Sequence, residues 1–374
     1  MHSRLPLGVF VHPPRQPGPV GAAGRAPENP GPIPLFFLAL GLLLAAFPAA
    51  AVDLEATARR FDHPDRYRVL FSRLIDRGVP ISRIENLFSS EKATRRDEKA
   101  VSLRTDVSRI PEHREAEREA NRRFLYEADL LADHLGDYAE AYDRMEAEYH
   151  ISREIIGAIL LKESALGRHD GLDHDAFVVF NSLLDSLETP PEAGSRMKRR
   201  IPRLLRMARE QLIELVIWAE RLGIDLARTP IPASYAGAVG IPQFLPSHLD
   251  KAVSADGKGP PDLAHLPDAI HSTANLIRTR FGWPEEMIDF GRLSNLKEVV
   301  EAWQAFDQGG ASFAFSRNAD GQQLRRFDRA RSDLPNVSYI STYVRALMRY
   351  NFSSDYALGV LQIAERTHRL RAGD

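Results

Sequence analysis

The chain has 374 residues, with 49 Lys and Arg against 51 Asp and Glu, and no cysteine. The missing cysteine excludes disulfides, thiolate metal centres, a cysteine nucleophile and a lipid-modified cysteine behind a leader. A net charge of −2 offers no electrostatic reason for nucleic acid as the partner. The composition, 44% hydrophobic and 27% charged, is that of a globular protein of one elaborated domain or two.

Nine of the 25 prolines lie between Pro6 and Pro34, in a stretch that holds Arg4, Arg15 and Arg25 and the single acid Glu28. An apolar run from Leu35 to Phe47 follows, then Pro48-Ala49-Ala50-Ala51. A basic lead, a short apolar run and an A-x-A site are the parts of a secretory signal. The run is shorter than the roughly 20 residues of a membrane span. Export to the periplasm is therefore expected, with an uncleaved inner-membrane anchor as the alternative. The expected organisation is a leader at 1–51, N-terminal helices with a charged connector at 52–122, and a main region with C-terminal helices at 123–368, which holds the candidate chemistry.

Beyond the leader the pattern is helical. Residues 68–76 carry apolar groups at helical spacing, Gly78 and Pro80 punctuate, and Ser82 opens a short helix ending near Leu87. Residues 89–122 are dense in charge and read as a solvated connector with partial helix. Phe124, Ala128, Leu131, Leu135, Tyr138, Tyr142, Met145 and Tyr149 then alternate by four and three, which predicts one helix of about seven turns with a core-facing seam. Further helices are predicted over 203–222, 267–281, 294–306, 337–350 and 354–368. No alternating runs joined by hairpin turns appear, so the fold class is mainly α. A monomer is expected, since a core-facing seam accounts for the stripe without a coiled-coil partner.

The segment Ser152 to Arg168 carries the first candidate chemistry. Ser152 suits an N-cap and Gly167 a C-terminal stop. Between them Ile156, Ile159, Leu160 and Glu163 share one helical face, so a carboxyl group falls where burial is predicted. Burial and the negative helix C-terminus both favour its protonated form, which general-acid cleavage of a glycosidic bond requires. The same spacing fits an acid paired with Arg168 or Lys162. The second segment, Ser234-Tyr-Ala-Gly-Ala-Val-Gly-Ile-Pro-Gln243-Phe-Leu-Pro-Ser247, has small residues that permit close backbone approach. Gln243 adds an amide able to donate and accept, as sugar hydroxyls need; tight packing with a capping glutamine fits equally. His169, Asp170, Asp173, His174 and Asp175 form a histidine–carboxylate cluster without H-E-x-x-H or closed four-ligand spacing.

Together the Glu163 segment, the Ser234–Ser247 stretch, Asp268-Ala-Ile-His-Ser-Thr-Ala-Asn275 with Gly282-Trp283, and Arg349-Tyr350-Asn351 through Tyr356-Ala-Leu-Gly resemble the lytic murein transglycosylase B family, in the family's order and from about residue 65 to 366. The resemblance implies a lysozyme-like, mostly helical core with additional flanking helices that holds a peptidoglycan glycan strand in a cleft. It implies Glu163 as the single acid and then base, forming 1,6-anhydro-N-acetylmuramic acid. Ser234, Tyr235, Gln243, Tyr350 and Asn351 would bind substrate. A hydrolytic muramidase and an inactive peptidoglycan-binding scaffold are the alternatives, and cell-wall synthesis or hydrolysis proteins are candidate partners.

The chain departs from the family in places. Where many members carry a calcium loop, it reads Ser254-Ala-Asp256-Gly-Lys258-Gly-Pro260-Pro261-Asp262. An ammonium where an acid is expected would repel the ion, so no cofactor and no bound metal are expected, with Lys258 as a counter-charge to Asp256 and Asp262. Leu276 stands where tyrosine is frequent. Pro202-Arg203 is the nearest counterpart of the family's paired arginines, and residues 185–200 diverge.

Overall fold

A computed structural model describes residues 53–105, 110–168, 171–307 and 334–373, all within one unit, Ala51–Asp374. The expectations for the leader fall outside the described residues.

The centre of the fold is helix α9, Arg153–Ser164. Ile155, Ile156, Ala158, Ile159, Leu160 and Leu161 are each fully buried. A helix apolar on all sides must be walled in on all sides, so the single apolar face expected for it was too narrow. The walls are α6 (Ile110–Tyr126), α7 (Ala128–Asp137), α8 (Ala139–Tyr149), α12 (Leu266–Arg280) and α15 (Ser354–Ala372).

The expected seven-turn helix is in fact α6 to α8, broken at Glu127 and Tyr138. Its seam residues Phe124, Ala128, Leu131, Leu135, Tyr142, Met145 and Tyr149 are buried as expected; Tyr138 is only half-buried. The breaks let the seam bend around α9, which a straight rod could touch along one line only. The charged connector is also more structured than its composition suggests. It forms α4 (Glu91–Thr94), α5 (Glu98–Thr105) and most of α6, and Lys92 and Asn121 within it are buried.

Helices α1 (Leu54–Ala58), α2 (Pro64–Asp76) and α3 (Ile81–Ser89) pack on α10 (Ala176–Ser186) and α11 (Ser195–Leu222). Pro64 opens α2, where a missing N–H costs nothing, and Tyr67, Leu70, Phe71 and Leu74 form its buried stripe. Phe61 stacks on Tyr67 with ring centroids 3.6 Å apart. The Tyr67 hydroxyl donates to Asn181 Oδ1 at 2.8 Å, while Asn181 Nδ2 donates to the Ala93 carbonyl at 2.8 Å. Arg73, Arg77 and Arg83 pair across to Glu210, Glu214 and Glu220 of α11. α11 starts earlier than expected and continues through Pro202, with Ile201 and Ala208 buried on either side. Helices α13 (Leu296–Asp307) and α14 (Val337–Tyr350) complete the described elements. The one sheet among the described residues pairs β1 (His174–Asp175) with β2 (Pro232–Ala233), antiparallel, with His174 opposite Ala233.

Tyr67→Phe should cost about 1–3 kcal/mol of stability, because the buried Asn181 oxygen loses its donor. Urea denaturation followed by circular dichroism would measure it, and an unchanged midpoint would contradict the role given to this bond.

Candidate active site

Glu163 occupies the last turn of α9. The helix stops one residue later, not at Gly167 as expected, and Ala165, Leu166 and Gly167 follow with φ of 50°, 62° and 78°. The Ala165 N–H returns to the Leu161 carbonyl at 2.9 Å, as in a left-handed helix cap, and the Leu166 N–H reaches the Leu160 carbonyl at 3.1 Å. Two non-glycine residues in the left-handed region carry strain that the surrounding structure must hold. At the other end Ser152 stands at the N-cap, but its hydroxyl bonds the Glu154 carboxylate and caps no backbone N–H.

The Glu163 carboxyl accepts one described side-chain hydrogen bond, from the Tyr356 hydroxyl at 2.7 Å. Neither cation considered from the sequence pairs with it. Lys162 Nζ instead binds Glu117 Oε1 at 2.7 Å and Asn121 Oδ1, and Arg168 Nε donates to the Ala165 carbonyl at 2.9 Å. Burial is the largest influence on the carboxyl and raises its pKa to about 7; the Tyr356 bond and the Lys162 charge oppose this, and Glu117 adds to it. Other acids withdrawn from water have ionic or backbone partners: Glu154 has Arg371, Asp185 has Arg96, Asp355 has Arg118, Asp175 has Lys92 at 2.8 Å, and Asp268 has the Ala255 and Asp262 N–H groups. Glu163 is the exception, a carboxyl group poised to hold a proton near neutral pH.

Tyr350, the last residue of α14, stacks parallel to Tyr356 at 6.4 Å. Its hydroxyl donates to the Pro242 carbonyl, and its ring meets Phe244 and Phe281 edge-on. Burial, and secondarily Glu163, raise the pKa of both phenols, so they remain protonated donors. The Ser234–Ser247 stretch is thereby tied to the acid through Pro242, Tyr350 and Tyr356. Within it Val239 and Phe244 exchange backbone hydrogen bonds at 2.8 and 3.0 Å, closing a tight loop. Gly240 has φ of 69°, and a Cβ there would lie 2.4 Å from Leu263 Cβ and 2.8 Å from its carbonyl oxygen, which explains the glycine. Gln243, at φ 52°, donates its amide to the Gly240 carbonyl at 2.9 Å. Ser234 Oγ accepts the Ala238 N–H at 3.3 Å, Tyr235 is exposed, and Asn351 leaves α14 in extended conformation.

Tyr356 was not singled out from the sequence as a site residue, although it lies within the quoted closing motif. Its position six residues after Tyr350, beyond a helix break, carries no signal of its hydrogen bond. Leu276 is fully buried in the core. Of the histidine–carboxylate cluster, His169 and Asp170 lie outside the described residues. His174 Nδ1 contacts Asp97 Oδ2 at 2.5 Å, and Asp175 caps α10 through the Phe177 and Val178 N–H groups. No group of three or more metal-ligating side chains occurs among the described residues.

The 254–262 loop is held by its own N–H groups. Asp268 accepts from Ala255 at 3.0 Å and Asp262 at 2.8 Å, and Asp256 accepts from the Lys258 N–H at 2.8 Å and the Ser254 hydroxyl at 2.7 Å. Ser272 and Asn275 fasten its approach through Val253 and the Lys251 carbonyl. The 268–275 motif is thus a staple for this loop. Lys258 contacts Asp256 through its backbone.

Residues 78–365 match the family described as the transglycosylase SLT domain. The chain belongs to that family and is an enzyme of the peptidoglycan lytic transglycosylase class. Among solved structures it is similar to soluble lytic transglycosylase SltB1 from Pseudomonas aeruginosa, at 22% identity and TM-score 0.53, over 81% of this chain and 98% of that one. The Escherichia coli lytic transglycosylase Slt35 in complex with calcium aligns at 18% identity and TM-score 0.54, over 82% and 94%. SltB3 from P. aeruginosa in complex with NAG-NAM-pentapeptide aligns at 20% identity and TM-score 0.50, over 83% and 80%. These structures share the lysozyme-like, mostly helical fold expected from the sequence. No curated protein sequence matches the chain.

Tyr356→Phe removes the hydrogen bond that opposes burial, so the Glu163 pKa should rise further above about 7. A carbon-13 NMR titration of labelled glutamate carboxyls would show it, and a fall would mean that the hydroxyl does not stabilise the carboxylate.

Proposed function

We propose that the chain cleaves the β-1,4 bond between N-acetylmuramic acid and N-acetylglucosamine in peptidoglycan without water. The observation that supports this reading best is the Glu163 carboxyl, half-buried without an ion pair and pushed up to a pKa of about 7. As an acid it gives its proton to the glycosidic oxygen as the C1–O bond breaks. The resulting carboxylate takes the proton of the muramic C6 hydroxyl, whose oxygen bonds to C1 and closes the 1,6-anhydro ring. One carboxyl group therefore serves both steps, and Tyr356 stabilises its charged form between them. Gln243, Tyr350, Asn351, Ser234 and the exposed Tyr235 are assigned to holding the glycan. The glycan is assigned from the family and this carboxyl.

Export is proposed from the basic lead, apolar run and A-x-A site. Among the described residues no helix is long and apolar enough to cross a membrane. The 254–262 loop is proposed to work without calcium, since its carboxylates are engaged by backbone N–H groups and Lys258 adds a positive charge.

On purified sacculi, Glu163→Gln should reduce release of anhydromuropeptides by roughly 100-fold or more, because the amide has no proton to give. Mass spectrometry reads the product: anhydro ends are lighter than reducing ends by one water, and reducing ends from wild type would make the chain a muramidase. Equal release by both proteins would remove Glu163 from the role of acid. Because the acid form is needed and exists below its pKa, kcat/KM should fall as pH rises past about 7. Added calcium should leave the melting temperature unchanged; an increase would place an ion in the loop.

A further inference from the structure

Lys162 is adjacent to the proposed acid, yet its side chain is only 3% exposed. Its ammonium binds Glu117 and Asn121 of α6 and lies 5.0 Å from the Tyr356 ring centroid and 5.7 Å from that of Phe124. Asn121 reaches on to α15, donating Nδ2 to the Asp355 carbonyl at 2.8 Å. Gly359 makes room for it: a Cβ there would lie 2.1 Å from Asn121 Oδ1. Burying an ammonium is costly unless its hydrogen bonds are met, and here they are met by α6 while the charge rests against the ring that serves Glu163.

We infer that Lys162, anchored by Glu117 and Asn121, is a positioning residue that holds the Tyr356 hydroxyl on Glu163 and contributes a fixed charge beside the acid. The inference rests on Glu163 being the acid. Cation–π attraction seats the Tyr356 ring, and the Asn121 bridge fixes the start of α15 that carries it. The charged and titratable groups facing Glu163 are Lys162 on its own helix, Glu117 from α6, Tyr350 from α14 and Tyr356 from α15. Asp355 of α15 faces Arg118 of α6 at 3.4 Å. From α7 and α8, Leu131, Leu135 and the Tyr142 phenol meet α9 at Gly157, and His271 of α12 faces Glu148.

The test is the pH profile of kcat/KM on purified glycan strands for Lys162→Met, Lys162→Arg and Glu117→Gln. Removing the cation should move the alkaline limb up by about one unit and lower kcat with KM little changed, and removing the anion should move the limb down. Lys162→Arg should restore the wild-type profile. A latch that is structural only would lower the melting temperature of both neutralising variants and leave the limb in place, which overturns the inference, as would displacement of both limbs in one direction. If Lys162→Met does not fold, Lys162→Gln, which can keep hydrogen bonds to Glu117 and Asn121 without the charge, decides alone: a raised limb supports the inference, and an unmoved or lowered limb overturns it. Glu163→Gln separates the two readings, because its loss of turnover with unmoved limbs in the other variants sinks the latch and leaves the acid.

Discussion

One carboxyl group without a cation governs the chemistry available to this fold. A charged group taken from water must be paired, bonded or neutralised. Asp175, Asp185 and Glu154 follow the first course, with lysine or arginine beside each. Glu163 follows the last: its near cation is turned away to Glu117 and Asn121, and a neutral phenol takes the place a cation would occupy. A phenol lowers the cost of the carboxylate without abolishing the acid. The group is therefore suited to the acid and then base role proposed for it.

That arrangement depends on a helix buried on all sides. α9 fixes Glu163 at its C-terminal end, where the backbone turns abruptly through three left-handed residues. The tyrosines arrive from the two C-terminal helices, and Pro242 is tied to Tyr350 through its carbonyl. Gln243 and Ser234 spend polar atoms on shaping their own loop. The family's small-residue motif is in this way a folding instruction for the loop first, and the sugar contacts proposed for it would be carried on that shape.

Much of this was legible in the residues. The seam from Phe124 to Tyr149 identified buried positions correctly except at Tyr138, because burial follows periodicity whether or not the helix is continuous. Continuity was misjudged: the bends at Glu127 and Tyr138 answer to the curvature of the packing around α9. The connector at 89–122 was misjudged for a related reason. Its charges looked solvated, but Glu117 and Asn121 are partners for a buried lysine far along the chain, and Lys92 is buried against Asp175 and backbone carbonyls. Charge density records the residues, not where their partners are.

The absence of cysteine, the balance of charge, the helical class and the family were determined by the sequence alone, since each depends on residue type and local order; Glu163 as the acid remains the proposal made from them. Whether that acid is paired was decided only by the tertiary structure. Lys162 and Arg168 were both near in the chain, and the choice between them and Tyr356 turned on contacts 45 and 193 residues distant. Protonation near neutral pH is a property of that three-dimensional environment, because desolvation and competing hydrogen bonds act through space.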